Sequence, residues 1–239
     1  MNPTSPAEPL SEFLSTKAID RYRISSDASH FQLIPTGVAT PFGIDQIAEL
    51  FQHATNSRSS VTFRSGGTSL SGQAISAGIL IDTRRHFRTI EVLAGGAQVR
   101  VQPGATVRAV NARLARFGRK LGPDPASEIA CTVGGVIANN SSGMACGITE
   151  NTYKTLQSAT VLLANGKTIN TANIDSGAQL QEAASELYQT LQQVRDEINA
   201  RPDLVLEIGR QYQIIARKTN MRWRTKTQLI KCAPQLFTF

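Results

Sequence analysis

Histidine and cysteine are scarce in this chain: three of each are spread over 239 residues, with one tryptophan. Cys131, Cys146 and Cys232 form no Cys-x-x-Cys pair and have no histidine at ligand spacing. That excludes a zinc ribbon or an iron–sulfur cluster built from these residues alone. A sparse, odd count fits reduced thiols and a cytoplasmic setting, with Cys131 and Cys146 as small packing residues. No carboxylate cluster has metal-ligand spacing. The N-terminus shows no charged segment followed by an apolar run, so no signal peptide is expected. No stretch approaches the roughly 18 consecutive apolar residues that a membrane-spanning helix needs.

Acidic residues are also unevenly missing. Residues 201–239 hold eight Lys/Arg against two Asp/Glu, and residues 217–239 hold six against none. The other 200 residues carry 17 basic and 16 acidic side chains, so the net charge of +7 belongs almost entirely to the tail. A nucleic-acid surface is therefore not expected on the folded part. Arg113, Arg116, Arg119 and Lys120 read as a solvated helix face. A hydrophobic content of 41% is ordinary for a globular protein and supports a sizeable core.

Glycine, by contrast, is concentrated in two runs. The first is Arg64-Ser65-Gly66-Gly67-Thr68-Ser69-Leu70-Ser71-Gly72-Gln73, and the second is Thr132-Val133-Gly134-Gly135-Val136-Ile137-Ala138-Asn139-Asn140-Ser141-Ser142-Gly143. Glycine lets backbone N–H groups approach a ligand where a Cβ would block them. The first run lacks the G-x-G-x-x-G spacing of a dinucleotide fold and the Gly-Lys-Ser/Thr of a Walker loop. By itself it is either an anion nest or a tight turn. The second opens an apolar helical turn whose N–H groups could face a phosphate or a ring carbonyl, or else it is a packing helix.

Periodicity predicts a helix over 43–57 with Ile44, Ile47, Ala48, Phe51 and Ala54 on one face. Strands are expected at 60–63 and 78–82, and a hairpin at 89–101 turns at Gly95-Gly96. A helix over 105–117 faces Val107, Val110, Leu114 and Phe117 inward, and a second hairpin turns at Asn165-Gly166. One long helix is expected over 179–199, with Leu180, Ala183, Leu187, Leu191, Val194 and Ile198 on one side. Residues 203–216 read as a helical continuation. The irregular mixture of hairpins and helices argues for an α+β fold and against a regular doubly wound sheet.

Both runs, with Pro103-Gly104, the segment from Gly118 through Pro123-Asp124-Pro125 to Ser127, and Asn139-Asn140-Ser141-Ser142-Gly143-Met144, resemble the FAD-binding PCMH-type domain of the vanillyl-alcohol-oxidase superfamily. The resemblance covers about residues 20–215 and is strongest to FAD-linked D-lactate and D-2-hydroxyacid dehydrogenases with a C-terminal iron–sulfur module. It implies two α+β subdomains followed by helices. The organisation it implies is an N-terminal segment over 1–34, the FAD-binding domain over 35–215, and a basic tail over 216–239. It implies that Arg64, Ser65, Gly66, Gly67, Thr68, Ser69, Gly72 and Gln73 wrap the FAD diphosphate. Pro123, Asp124, Thr132, Gly134 and Gly135 would line the flavin region. Asn139, Asn140, Gly143 and Gly147 would complete the cofactor site. Thr68 stands where many members of the superfamily carry the histidine that binds FAD covalently, so non-covalent FAD is implied.

The family's 2-hydroxy-acid site and iron–sulfur cysteines have no counterpart in these residues. No catalytic residue is carried over. The expectation is a truncated, FAD-holding part of an oxidoreductase, or an inert flavin-binding module. The family pattern stops near residue 215, which suggests an out-of-frame tail. A cytoplasmic location, or one peripheral to the inner membrane in the complete enzyme, is implied.

Overall fold

The computed structural model describes residues 10–220, 229–232 and 237–238. The chain runs β1 (Leu14–Ser15), α1 (Ala18–Arg23), β2 (Gly37–Ala39), α2 (Ile44–Ser57), β3 (Val61–Arg64) and β4 (Ile79–Asp82). There follow β5 (Ile90–Leu93), β6 (Gln98–Val101), α3 (Val107–Leu114), β7 (Lys120–Leu121), α4 (Val133–Ala138), α5 (Thr152–Thr155), β8 (Thr160–Leu162) and β9 (Thr168–Asn170). Helices α6 (Ser176–Ala183), α7 (Ser185–Asn199) and α8 (Pro202–Asn220) come next, then β10 (Leu229–Cys232) and β11 (Phe237–Thr238). Of the tail expected over 216–239, residues 221–228, 233–236 and 239 lie outside the described residues, and α8 runs past the expected boundary at 215.

Two α+β subdomains account for the core. The first sheet has the order β1-β2-β4-β3, with β2, β4 and β3 mutually parallel and β1 antiparallel at the edge. Helix α2 covers one face of it. The helix starts after Gly43, carries Asp45 in its first turn where the dipole favours a carboxylate, and ends at Arg58 in the left-handed region (φ 52°). Its buried residues Ile47, Leu50, Phe51 and Ala54 follow i, i+3, i+4, i+7, and the first three share a core cluster with Ile79 and Ile81 of β4. Leu80 points to the opposite face and packs with Ile24 and Val38. Strand β4 is thus buried on both faces, as a central parallel strand should be.

The second subdomain is built on the sheet β5-β6-β10-β7. Val99 and Val101 of β6 pack with Val107, Val110 and Leu114 of α3 and with Val133, Val136 and Ile137 of α4. Thr106 caps α3 by accepting the Ala109 N–H at 3.2 Å. The expected inward Phe117 is instead half-exposed. Helix α3 ends at Leu114, and a 3-10 turn over Ala115–Phe117 advances by 120° per residue, carrying Phe117 off the buried stripe. There it covers Gly96, whose left-handed conformation (φ 85°) turns the β5–β6 hairpin. A three-stranded sheet, β11-β8-β9, carries Leu162 into the core of the first subdomain.

The long helix expected over 179–199 is two helices. Ala184 (φ −152°, ψ 70°) interrupts it, and the Asn165 side chain donates to the Ala183 carbonyl at 2.8 Å, satisfying an orphan acceptor at the end of α6. The apolar stripe Leu187, Leu191, Val194 and Ile198 on α7 lies 45–51% exposed.

Because both faces of β4 are covered, Leu80→Ala and Ile81→Ala should each lower unfolding free energy by about 2–5 kcal/mol in urea titrations. A negligible effect at Leu80 would show that its face of the sheet is not packed.

Candidate functional site

The first glycine run leaves β3 at Arg64 and is pinned again at Ala74. Its braces come from residues 24–31. The Ala28 N–H donates to the Gly67 carbonyl at 2.9 Å. Asp27 Oδ2 accepts the Ala74 N–H at 3.3 Å, and Arg64 Nη1 donates to the Ile24 and Ala74 carbonyls at 3.2 Å each. Gly72 (φ 76°) turns against the Phe31 ring. Inside the loop, Ser69 Oγ accepts from the N–H groups of Ser71 and Gln73 at 3.2 and 3.1 Å, fixing a turn by side chain. Residues 24–31 precede the expected boundary at 35, yet the loop is held by them.

The charges beneath the loop are unequal. Burial works against ionising Asp27, but hydrogen bonds from Ser29 and Ala74 and the Arg64 charge outweigh it and hold the carboxyl below its ordinary value. Arg64 is only 7% exposed. Burial first, and repulsion from Arg84 second, lower it from its ordinary value, opposed by Asp27 and Asp82.

The second run enters α4 through Thr132. The Val133 and Gly134 N–H groups donate to the Ala105 and Pro103 carbonyls at 2.8 and 2.9 Å. Of the expected free donors at this helix start, only the Gly135 N–H is left without a protein acceptor among the described residues. A Cβ at Gly134 would press on Pro103 at 2.8 Å, whereas one at Gly135 would meet only Ser65 at 3.4 Å. Gly134 is therefore a packing glycine and Gly135 an open one.

The two runs touch. Ser65 Oγ accepts the N–H of buried Thr132 at 3.2 Å, and a Cβ on Gly66 would overlap the Ala130 carbonyl. Beside this junction opens a cleft of about 240 Å³. Ser65, Gly67, Thr68, Ser69 and Gln73 line one side, and Gly135 and Asn139 the other. Among the described residues no charged side chain lines it; the polar groups are hydroxyls and amides. Its volume falls below the roughly 300–1,000 Å³ that bury a drug-sized ligand, so it accommodates one portion of a long molecule.

The other sequence-predicted residues stand elsewhere. Arg64, Gly66, Thr132 and Gly134 lie behind the wall, at the junction and its supports. Pro123, Asp124, Asn140, Gly143 and Gly147 belong to an adjoining loop and do not line this cleft. There Asp124 accepts the Cys146 and Ala145 N–H groups at 3.1 Å each, and Gly143 closes on Asp124. Asn140 (φ 45°) accepts the Tyr153 N–H at 3.0 Å. Phe63, Ala74, Pro125, Ser127, Cys131, Val136, Ala138 and Ser141 also line the cleft and were not singled out from sequence. Helical spacing from Gly135 was a signal for Ala138; Cys131 had none. Burial pushes the Cys131 thiol up, against a hydrogen bond with Ser127, and burial likewise raises Cys146.

Residues 35–172 match the FAD binding domain family. The D-2-hydroxyglutarate dehydrogenase of Escherichia coli K12 is 35% identical over 133 residues, covering 54% of this chain and 13% of that protein. The D-lactate dehydrogenase of Archaeoglobus fulgidus is 30% identical over 138 residues, covering 56% of this chain and 30% of that protein. Among solved structures, an alkyldihydroxyacetonephosphate synthase superposes with a TM-score of 0.60 at 20% identity, over 69% of this chain and 33% of that one. At that identity the likeness establishes the fold. The chain spans less than a third of the length of either of these curated relatives.

Two outcomes follow from the junction. Ser65→Ala leaves the buried Thr132 N–H without an acceptor and should lower stability by about 1–3 kcal/mol in urea; an unchanged midpoint would remove the junction from the account. The raised thiols bind protons in the folded state that the unfolded chain releases. Their contribution is present below the unfolded pKa of about 8.5 and is lost as pH rises above it. Stability should therefore fall on alkaline titration, less so in Cys131→Ser/Cys146→Ser relative to its own neutral-pH value.

Proposed function

The chain belongs to the FAD binding domain family, and we propose that it is the cofactor-holding part of an FAD-linked D-2-hydroxyacid dehydrogenase, binding FAD without a covalent bond. The observation that carries this reading is the meeting of Gly67–Ser69 and Gly135–Asn139 on one cleft. The residues fit such a group: Gly67 and Gly135 bring backbone to the cleft, a Cβ at Gly135 would meet only Ser65 at 3.4 Å, and the Gly135 N–H is a donor without a protein acceptor among the described residues. When bound, FAD supplies the capacity to accept a hydride from the carbon of a CH–OH group.

This chain's residues bind and orient. The Ser65, Thr68 and Ser69 region and the Gly67 backbone would hold the phosphate-bearing portion, while the Asn139 amide can read a ring edge. Thr68 offers only a hydroxyl, and among the described residues no histidine lines the cleft. The Cys131 thiol does line it, but burial keeps it protonated and a poor nucleophile. These features support non-covalent attachment. Among the described residues no carboxylate, imidazole or amine lines the cleft to take a substrate hydroxyl's proton. The 2-hydroxy-acid site and any iron–sulfur centre are accordingly assigned to other parts of the complete enzyme. No helix among the described residues is long and apolar enough to cross a membrane, and the proposed setting is cytoplasmic or peripheral to the inner membrane. The charge distribution supports no nucleic-acid partner.

Mixing the purified chain with FAD and removing excess should leave a visible flavin spectrum on the protein. Acid precipitation should give a colourless pellet, and D-lactate or D-2-hydroxyglutarate should not bleach the bound flavin. Failure to retain flavin overturns the cofactor assignment, a yellow pellet overturns the non-covalent one, and bleaching shows that the chain carries more than the holding part.

A further inference from the structure

We propose that the second subdomain carries a slot for an extended segment between β6 and β7, and that its occupant is this chain's own tail, residues 229–232, added as a parallel strand. The proposal goes beyond the cofactor reading and stands whether or not FAD binds.

The sheet order β5-β6-β10-β7 sets a segment from the far end of the chain between two strands of the subdomain core. Its two pairings are staggered. Leu229 and Ile230 stand in register with Lys120 and Leu121 of β7, and Lys231 and Cys232 with Gln98 and Val99 of β6, all parallel. Each half of the strand thus holds one neighbour. Among the described residues, β10 is the only ladder partner of β7. Without it β7 keeps the Asn111 side chain, which accepts the Leu121 N–H at 2.8 Å, but no strand. Strand β6 keeps only β5, antiparallel on its other edge.

The space between β6 and β7 needs an occupant of this shape. Neighbouring strands lie about 4.8 Å apart, so two strands flanking a third are separated by about 10 Å. The borders are core: Val99 is 0% and Leu121 2% exposed. Backbone N–H and C=O groups left unpaired in such a setting cost free energy, and an extended segment satisfies them along its length. Residues 229–232 contain no proline, so each can donate an N–H. The same tail pairs once more, through β11, which runs parallel to Val161 and Leu162 of β8.

The strand also stands behind the cleft. Strand β7 leads into the segment that carries Pro125 and Ser127. Helix α5 lies beside β10, and its Thr152 hydroxyl donates to the Ser141 carbonyl at 2.7 Å. Pro125, Ser127 and Ser141 all line the cleft. The tail strand therefore backs the wall that the second subdomain contributes.

Deuterium exchange on the full chain, read by mass spectrometry, tests this. In wild type, residues 229–232 should exchange as slowly as β6; exchange at the rate of an unstructured peptide overturns the proposal. Ile230→Pro removes a ladder N–H and should speed exchange over 120–121 about tenfold or more, while β4 of the other subdomain is unaffected. Unchanged exchange over 120–121 overturns the proposal. If Ile230→Pro does not fold, Ile230→Gly, which weakens a strand but keeps its N–H, takes its place under the same criterion. An excess of a peptide spanning residues 226–234, added under reducing conditions, should restore slow exchange over 120–121 in the variant, and the same peptide with proline at position 230 should not. No rescue overturns the reading of the slot as a strand acceptor. Protection of 229–232 that appears only as a dimer forms with rising concentration assigns the strand to a second copy and overturns the intrachain placement.

Discussion

The tight approach of Gly66 to the Ala130 carbonyl, with Ser65 accepting the Thr132 N–H, is what the remaining site depends on. It joins the two subdomains at the point where each glycine run begins. A second tight contact reinforces it: Gly104 lies against the Thr83 and Phe87 carbonyls and donates its N–H to Phe87 at 2.7 Å. Both contacts use glycine because backbone meets backbone. With the subdomains locked there, Gly67 and Gly135 face a common space, and neither loop can shift alone without opening the junction.

The support behind that junction is unusually polar. Arg64, Asp27, Asp82 and Arg84 bind loop backbone and one another rather than ligand. Buried charges of this kind are weak as sources of stability but strong as devices that select one arrangement. Here they fix the exit of the first loop at Ala74, so that its conformation is set before a ligand arrives. Such preorganisation lowers the ordering cost of binding. The helical region is the opposite case. The apolar stripe of α7 lies at the surface, and α8 touches the 148–154 loop through the Tyr212 hydroxyl to Ile148 and Lys154 over the Tyr212 ring.

Much of the fold was legible from short-range pattern. The face of α2, the buried strand β4, the β5–β6 hairpin and the Asn165-Gly166 turn follow from local periodicity and from residues that tolerate positive φ. Phe117 and Ala184 were not legible. In each case the helix stops where a contact from another element intervenes, Gly96 beneath Phe117 and the Asn165 side chain at Ala183. The cleft was legible by half. Ser65, Gly67, Thr68, Ser69, Gln73, Gly135 and Asn139 line it, while Asp124 and Asn140 spend their side chains on backbone N–H groups of a neighbouring loop. A short polar side chain reads the same in sequence whether it serves a ligand or the backbone.

The sequence alone determined where two glycine runs and a Pro-Asp-Pro segment constrain the backbone, since those residues act wherever they stand, and the flavin is what their resemblance to a known family implied. It also determined that Thr68 replaces a possible attachment histidine. Only the tertiary structure decided which glycine packs and which faces the cleft, since that depends on Pro103 and Ser65, each more than thirty positions from the second run's glycines or across the junction. It alone decided that residues 24–31 brace the loop, and that the Asp82 carboxylate is hydrogen-bonded by Arg84 and not by Arg64, its neighbour in register. Partner choice among charges is a matter of distance in three dimensions, and no local pattern encodes it.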